Sequence, residues 1–433
     1  MQGHQWENAR QDALHALRNQ AAAVRFWLAL ALGAVALLFL CLPLVICCIL
    51  SHAFEWGSKK AYDDMALETA ERQLIKEHIK DDTHLQDRWL QLKVHCCTEG
   101  KKMTIVEVDA HLLHAPALPS EDKPPLLLIH GTSASAVSFI SAIKELRHNF
   151  DVYAIDMPGF GRTSTSTCHP FPVDSMTTEA TISFYTEYLE ACCCALGLER
   201  VSVLGHSYGA FLSIHFAAAH PERISHLLLA SAAGVFPTLG TLGVYWACFF
   251  KSCIANVNQS TGRLGRWFFF TMFRLMGLPA EAYYRYDLLA SPSSWGCRLL
   301  AQFITLRYDS AFWNSPALEA LANLDCPVRT LYGELDCIMP SHQGDALTKV
   351  LGIKSSRVPG AGHLVLQHPH GKRLAEEMEA LCKADEHEKK KSAKKVVALD
   401  PAMYASSFSR SLTSKVIHSV YNELLVMRPA SAF

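Results

Sequence analysis

One pentapeptide, Gly205-His-Ser-Tyr-Gly, constrains the fold of this chain more than any other segment. It stands directly after the apolar run from Val201 to Leu204 and directly before a helix-like apolar segment that begins at Ala210. In a strand-turn-helix setting the central serine occupies a strained turn, and glycines flank it because a Cβ at either place would clash. The pattern therefore predicts a parallel α/β sheet with Ser207 as a nucleophile at the end of one strand.

Other short segments have the same character and support a largely parallel sheet. These buried-type runs are Leu126-Leu-Leu-Ile, Val152-Tyr-Ala-Ile, Leu227-Leu-Leu and Val328-Arg-Thr-Leu-Tyr. Short continuous apolar runs separated by stretches with room for helices are typical of strands that are covered on both faces. Two alternating segments, starting at Trp89 and Thr104 and separated by a turn at Thr98, predict a β-hairpin that opens the domain.

Composition excludes several classes of protein. Half of the 433 residues are hydrophobic and only 19% are charged, which excludes a mainly disordered chain. Lys and Arg number 40 against 41 for Asp and Glu, a net charge of -1, so we expect no nucleic-acid partner. The 15 cysteines include adjacent runs and form no C-x-x-C pair, which favours reduced thiols over disulfides or a zinc ribbon.

The N-terminal region contains an apolar span, residues 26–50, with no charged residue. At about 1.5 Å rise per residue, a helix of that length crosses the roughly 30 Å hydrocarbon core of a bilayer. A cleaved signal peptide is the alternative, but its apolar part is usually only about 7–15 residues long. We expect a single-pass membrane anchor, with the reduced cysteines favouring a cytosolic domain on an endomembrane such as the endoplasmic reticulum.

The remaining organisation follows from shifts in composition. A charged stretch with helical apolar spacing follows the anchor. Aromatic residues crowd the segment after the apolar run at Leu227, which predicts an inserted helical cap. A lysine-rich run begins the C-terminal tail and is interpreted as solvated linker or as a contact for anionic lipid. The predicted boundaries are an N-terminal flank at 1–25, the anchor at 26–50, a helical linker at 51–87, a catalytic domain at 88–383 with the cap at 236–325, and the tail at 384–433.

Within the cap, the run from Trp267 to Phe273 carries five aromatic side chains in seven positions, with Arg266 and Arg274 on either side. Such a run is typical of packed cap core. It is equally typical of a lid that lines an acyl pocket or enters the membrane interface. The sequence leaves both interpretations open.

A nucleophilic serine needs a base, and the base needs an acid that fixes its tautomer; the acid and then the base follow the serine in chain order. Asp336 lies just past the apolar run at Val328, and Glu334 is the nearest rival for the same role. His363 follows Pro359-Gly-Ala-Gly, a loop that can bring an imidazole to the serine. We therefore predict Ser207, Asp336 and His363 as the catalytic residues.

Two backbone N–H groups are expected to stabilise the oxyanion that forms during attack. They are assigned to Tyr208, which follows the nucleophile, and to Thr132 in the loop after the run at Leu126. His130 and Asp156 are interpreted as residues that shape loops, and His206 as a packed side chain. His363, His368 and His370 do not have the spacing of a zinc motif, so no metal is expected. Nucleophilic catalysis by Ser207 implies no cofactor.

These motifs resemble the α/β-hydrolase superfamily over roughly residues 88–383. The resemblance implies an α/β-hydrolase fold, with a mostly parallel central sheet and helices on both faces. The segments starting at Val152, Ala195 and His220 look most like the subgroup of N-acyl phospholipid lipases and the lipid-droplet lipase co-activator. Epoxide hydrolases and dehalogenases are disfavoured, since those relatives use aspartate at the position of Ser207.

The resemblance implies a serine hydrolase that cleaves carboxylic esters of lipids, with a membrane lipid or lipid ester as substrate, and the apolar span at 26–50 predicts that it is membrane-anchored. Its co-activator branch lacks the serine, so the presence of Ser207 disfavours a non-catalytic scaffold. The subgroup also carries a His-x4-Asp pattern linked to acyl transfer onto lysophospholipid. His226 matches that pattern but Ser231 replaces the acid, so lysophospholipid acyltransferase activity remains the alternative.

Overall fold

The computed structural model describes residues 64–79, 84–97, 103–118, 122–132, 134–165, 178–235, 316–336, 339–366 and 370–388. A helix, α1 (Asp64–His78), precedes the sheet in the chain. The described residues contain nine strands: β1 (Gln86–Cys97), β2 (Met103–Ala115), β3 (Pro125–Ile129), β4 (Asp151–Ile155), β5 (Ser164–Thr165), β6 (Val201–His206), β7 (Ile224–Ala230), β8 (Val328–Gly333) and β9 (Lys354–Val358).

The strands form one mixed sheet in the order β1-β2-β4-β3-β6-β7-β8-β9, with β5 paired to β2. The hairpin of β1 and β2 is antiparallel, and β2 is antiparallel to β4. All pairings from β4 across to β9 are parallel. The predicted hairpin and the mostly parallel sheet are therefore confirmed.

Helices connect the parallel strands and cover the sheet. They are α2 (Ile140–Leu146), α3 (Thr178–Leu196), α4 (Tyr208–Ala219), α5 (Pro316–Ala322), α6 (His342–Leu351) and α7 (Gly371–Glu388). From β3, helix α2 leads to β4 on one side, whereas α4 leads from β6 to β7 on the other. Since such crossovers are right-handed, α2 and α4 lie on opposite faces. Packing agrees, because α7 contacts α2 while α3 and α5 contact α4.

The central strands of the sheet are buried and apolar. The four residues from Leu126 to Ile129 in β3 are fully buried, as are most side chains of β6 and α4. Strands covered on both faces need such continuous apolar runs. Because β3, β6, β8 and β9 are parallel, the loops after their carboxyl ends meet at one edge of the sheet, which is where sites form in this class of fold.

Several predictions fall on residues that the structure does not describe. These are the anchor at 26–50, the tail beyond residue 388, and the part of the cap at 236–315 that includes the aromatic run. Within the described parts of the chain, no helix has both the length and the apolar character needed to cross a membrane. Residues 316–322 of the predicted cap form α5, which packs against α4. Strand β1 begins at Gln86, inside the predicted linker.

Candidate active site

Ser207 lies in the tight turn between β6 and α4, as the pentapeptide predicts. Its backbone has φ 53° and ψ -115°, in a region that residues with a side chain rarely adopt. The flanking glycines permit the turn: a Cβ on Gly205 would lie 2.3 Å from Ser213 Oγ, and one on Gly209 would lie 2.2 Å from the carbonyl oxygen of Ile129. Strain at a buried residue persists only where its surroundings over-determine it, and it is most common at functional sites.

The structure brings Ser207, His363 and Asp336 together in one hydrogen-bonded chain. His363 Nε2 lies 3.0 Å from Ser207 Oγ, and His363 Nδ1 lies 2.9 Å from Asp336 Oδ2. The Asp336 side chain is fully buried, whereas 15% of the His363 side chain is exposed. This geometry places a hydroxyl, an imidazole and a carboxylate within the reach that proton transfer requires.

The neighbours of Asp336 keep its carboxyl group ionised. Burial raises the pKa of Asp336, but the hydrogen bond and charge of His363 and the N–H of Met339 lower it more, so the net pKa lies below the usual value. Met339 N donates to Asp336 Oδ1 at 2.8 Å. A carboxylate that holds Nδ1–H leaves Nε2 free to accept the proton of a serine.

Glu334, the rival acid, faces a different group. It is exposed, and its Oε2 accepts a hydrogen bond from the N–H of Gly360 at 3.0 Å. Its own backbone N–H donates to the carbonyl of Val358 at 3.0 Å. Glu334 therefore ties the two loops that carry Asp336 and His363, and the structure places Asp336 rather than Glu334 against the imidazole.

The two predicted oxyanion residues lie in the segments nearest to Ser207. Tyr208 is the first residue of α4, and the first turn of a helix presents amide N–H groups that suit an anion. Thr132 is half-buried and follows Gly131 in the loop after β3. A Cβ on Gly131 would lie 2.9 Å from Ser207 Cβ, so this loop passes directly beside the serine.

His130 and Asp156 hold the loop after β3 in place. His130 Nδ1 lies 2.8 Å from the carbonyl oxygen of Gly131, and His130 Nε2 accepts the N–H of Met157 at 3.0 Å. Asp156 Oδ1 accepts the N–H of Ala136 at 2.6 Å. Both residues thus shape loops around the site, in agreement with the sequence-based interpretation.

Asp156 also belongs to a buried polar network that the sequence analysis did not predict. The fully buried ring of His111 lies between two carboxylates, with Nδ1 2.7 Å from Asp156 Oδ2 and Nε2 3.0 Å from Asp87 Oδ1. Arg162 adds a bond of 2.7 Å to Asp87 Oδ2. No local signal identifies this network, because its members are brought together only by the pairing of distant segments.

The two positions of the acyl-transfer pattern lie at different places on β7. His226 Nδ1 lies 3.2 Å from Ser202 Oγ, in the first half of the strand. Ser231 follows the last residue of the strand, beside Ala230, whose carbonyl accepts the N–H of Ser207 at 2.9 Å. Five residues of strand span about 16 Å, so His226 and the residue at 231 do not form a pair.

Comparison with known proteins gives a consistent family. A model described as the alpha/beta hydrolase fold matches residues 124–366, which is more than half of the chain. The segment contains Ser207, Asp336, His363 and Thr132. A solved lipase candidate (lip1) from Acinetobacter baumannii AYE is similar in fold, with a TM-score of 0.55 and 18% identity over 77% of this chain and 100% of that one.

Curated relatives are similar over different shares of their length. The 1-acylglycerol-3-phosphate O-acyltransferase ABHD5 of Sus scrofa is 26% identical over 264 residues, which are 56% of this chain and 73% of that protein. The ABHD5 of Homo sapiens is 34% identical over 116 residues, 27% of this chain and 31% of that protein. The chain therefore resembles the ABHD5 subgroup within that fold.

Proposed function

The chain belongs to the α/β-hydrolase fold family, and we propose that it is a serine hydrolase that cleaves carboxylic esters of lipids. The observation that carries the proposal is the contact between His363 Nε2 and Ser207 Oγ at 3.0 Å, made by a serine held in a strained turn. A base within hydrogen-bond reach of a constrained hydroxyl is the geometry that activates a nucleophile.

In the proposed reaction, Ser207 Oγ attacks the acyl carbonyl while His363 Nε2 takes its proton. Asp336 orients the imidazole and stabilises the imidazolium that forms. The N–H groups of Thr132 and Tyr208 bind the oxyanion. The imidazolium then gives its proton to the departing alcohol, an acyl-enzyme remains on Ser207, and water activated by the same imidazole releases the fatty acid.

Two findings support lipid esters as the substrate class. Both ABHD5 relatives reported above are named for acyl transfer to 1-acylglycerol-3-phosphate, which is itself a lipid. The apolar span at 26–50 would hold the domain beside a bilayer, where such esters reside. We include in the proposal a single-pass anchor in an endomembrane such as the endoplasmic reticulum, with the hydrolase domain on the cytosolic side.

An acyltransferase is the second candidate, in which the hydroxyl of a lysophospholipid replaces water in the second step. The names of the curated relatives favour it. Ser231 weighs against it, because the acid of the family pattern is missing there. A non-catalytic scaffold is a third outcome, and the presence of Ser207 with its aligned base weighs against that one.

The test labels the purified full chain with a fluorophosphonate probe and measures hydrolysis of a lipid ester. Ser207→Ala should abolish labelling and reduce turnover by about 10³-fold or more, because members of such a triad act as a unit. His363→Ala should have the same two effects. Ser225→Ala, a control near the start of β7, should be labelled and should turn over the ester like the unaltered protein. Labelling or turnover that survives Ser207→Ala would overturn the proposal.

Product analysis separates the two enzymatic candidates. The same protein is given a radiolabelled acyl donor with and without lysophosphatidic acid. A hydrolase releases free fatty acid at a rate that the acceptor does not change. Label that appears in phosphatidic acid, in proportion to the acceptor, would instead establish the acyltransferase.

A further inference from the structure

His206, the last residue of β6, contacts the backbone of His363, the proposed base. It directly precedes Ser207 and only 2% of its surface is exposed. Its Nε2 lies 2.9 Å from the carbonyl oxygen of His363, 157 residues further along the chain. The two rings lie 5.0 Å apart, at 48° to one another. The residue before the nucleophile is thus bonded to the backbone of the base.

The contact fixes the tautomer of His206. A carbonyl oxygen only accepts, so Nε2 must carry the proton and donate it. The other nitrogen, Nδ1, is buried and has no hydrogen-bond partner among the described residues. A Cβ on Gly131 would lie 3.0 Å from Nδ1, which means that the backbone of the oxyanion loop closes over this side of the ring.

The surroundings keep His206 uncharged. Burial, and then the charge of His363, lower the pKa of His206 to about 3, and the nearby His130 acts in the same direction. The hydrogen bond to the carbonyl of His363, and then the charge of Asp336, raise the pKa, but less than burial lowers it. With so low a pKa the ring binds a proton only weakly, so it is a poor base compared with an ordinary histidine. It can act as a fixed donor.

We propose that His206 is a positioning residue, which holds the peptide carbonyl of His363 and thereby keeps the imidazole of His363 over Ser207. The inference rests on the proposed function, since it assigns to His206 the geometry of that reaction. His206 is part of the same rigid turn as Ser207, so the bond fixes the base relative to the nucleophile. A misplacement of about 1 Å at such a contact costs roughly 10²-fold in rate.

Three substitutions in the full chain separate positioning from packing. In His206→Gln the side-chain amide nitrogen reaches the place of Nε2, whereas in His206→Asn it reaches only the place of Nδ1. His206→Leu fills the volume without a donor. His215→Leu, on α4 with its ring against Phe211, is the matched control. Each variant is assayed for kcat and KM on a short soluble ester across pH, and for its unfolding midpoint.

Positioning predicts a fall in kcat of about 10²-fold for His206→Leu and His206→Asn, with KM changed by less than about threefold. His206→Gln should recover to within about tenfold of the unaltered protein, and the pH profile of kcat/KM should keep its shape in all three. Equal kcat in the Gln and Leu variants, or a loss that only follows the unfolded fraction, would overturn the proposal. So would the disappearance of a titration step in the Leu variant.

A spectroscopic arm keeps this inference distinct from the proposed function. In the chain labelled with ¹⁵N-histidine, His206 should give an Nε2–H tautomer that does not titrate between about pH 5 and 9, and His206→Leu should shift the ring signals of His363. A titrating His206, or unshifted His363 signals, overturns the positioning claim. Ester turnover that persists in Ser207→Ala overturns the proposed function instead, while these signals still decide the role of His206.

Discussion

His363 Nε2 and Ser207 Oγ lie 3.0 Å apart although 156 residues separate them in the chain. Their strands, β9 and β6, are three positions apart in the sheet, which corresponds to about 14 Å. The loop after β9 crosses this distance and is hydrogen-bonded to the loop after β8. Leu335 N, after β8, donates to the carbonyl of Ala361, after β9, at 2.8 Å. The site is therefore held by contacts between loops as well as by the strands.

Asp336 and Glu334 form a matched pair for testing the acid. Asp336→Asn should reduce kcat by about 10⁴-fold, since an amide cannot hold the imidazole in the correct tautomer or stabilise its charge. Glu334→Gln should retain activity within about tenfold, because its side chain bonds the N–H of Gly360 and not the imidazole.

Steady-state kinetics on one soluble ester, with circular dichroism to verify folding, measure both variants. If the ranking were reversed, the acid would be Glu334, and the contact at 2.9 Å between Asp336 and His363 would have no catalytic role.

Local signals predicted the parallel sheet and the turn at Ser207, because a strand, a tight turn and a helix are encoded within about twenty contiguous residues. They favoured Asp336 and left Glu334 as its rival, since both follow β8, and only the folded chain shows that Asp336 is the carboxylate that contacts His363. They also missed His111 between Asp87 and Asp156, and the bond from His206 to His363. Those contacts form only after strands from distant parts of the chain have paired.

The anchor at 26–50 predicts the behaviour of the full chain in cell fractionation. Protein should stay in the pellet after alkaline carbonate extraction, and deletion of residues 1–57 should release much of it, because an uncharged span of this length inserts stably. Immunoblots of pellet and supernatant measure the effect. Full-length protein in the carbonate supernatant, or a mature N-terminus near residue 50, would contradict the prediction.

Asp87 predicts a pH-dependent contribution to stability. Burial raises its pKa, but the bonds from His111 and Arg162 lower it more, to about 2. Because the folded pKa lies below the value of 3.8 for an unperturbed aspartate, the stabilisation is present above about pH 4 and is lost as the pH falls through about 2. Asp87→Asn should therefore lower the unfolding midpoint at pH 7, and its deficit should close between about pH 4 and pH 2.

Thermal unfolding at pH 7, 4, 3 and 2 measures the difference between Asp87→Asn and the unaltered chain. The matched control is Asp109→Asn, an exposed aspartate on the neighbouring strand β2. A deficit of the Asp87→Asn variant that persists undiminished at pH 2 would show that the stabilisation does not come from the ionised carboxylate.

Gly209 and Gly362 test whether close backbone approach at the site is required. A Cβ on Gly209 would lie 2.2 Å from the carbonyl oxygen of Ile129, at the end of β3, where the backbone cannot move without displacing the loop that carries Thr132. A Cβ on Gly362 would meet nothing within 4 Å.

Gly209→Ala should lower stability by about 1–3 kcal/mol and the unfolding midpoint by about 2–12 °C. Gly362→Ala should leave the midpoint unchanged or raise it slightly, because alanine restricts the unfolded chain more than glycine does. Calorimetry measures the unfolding midpoints of the two variants. Equal midpoints would mean that α4 can shift away from β3. The turn at Ser207 would then be less constrained than its backbone angles imply.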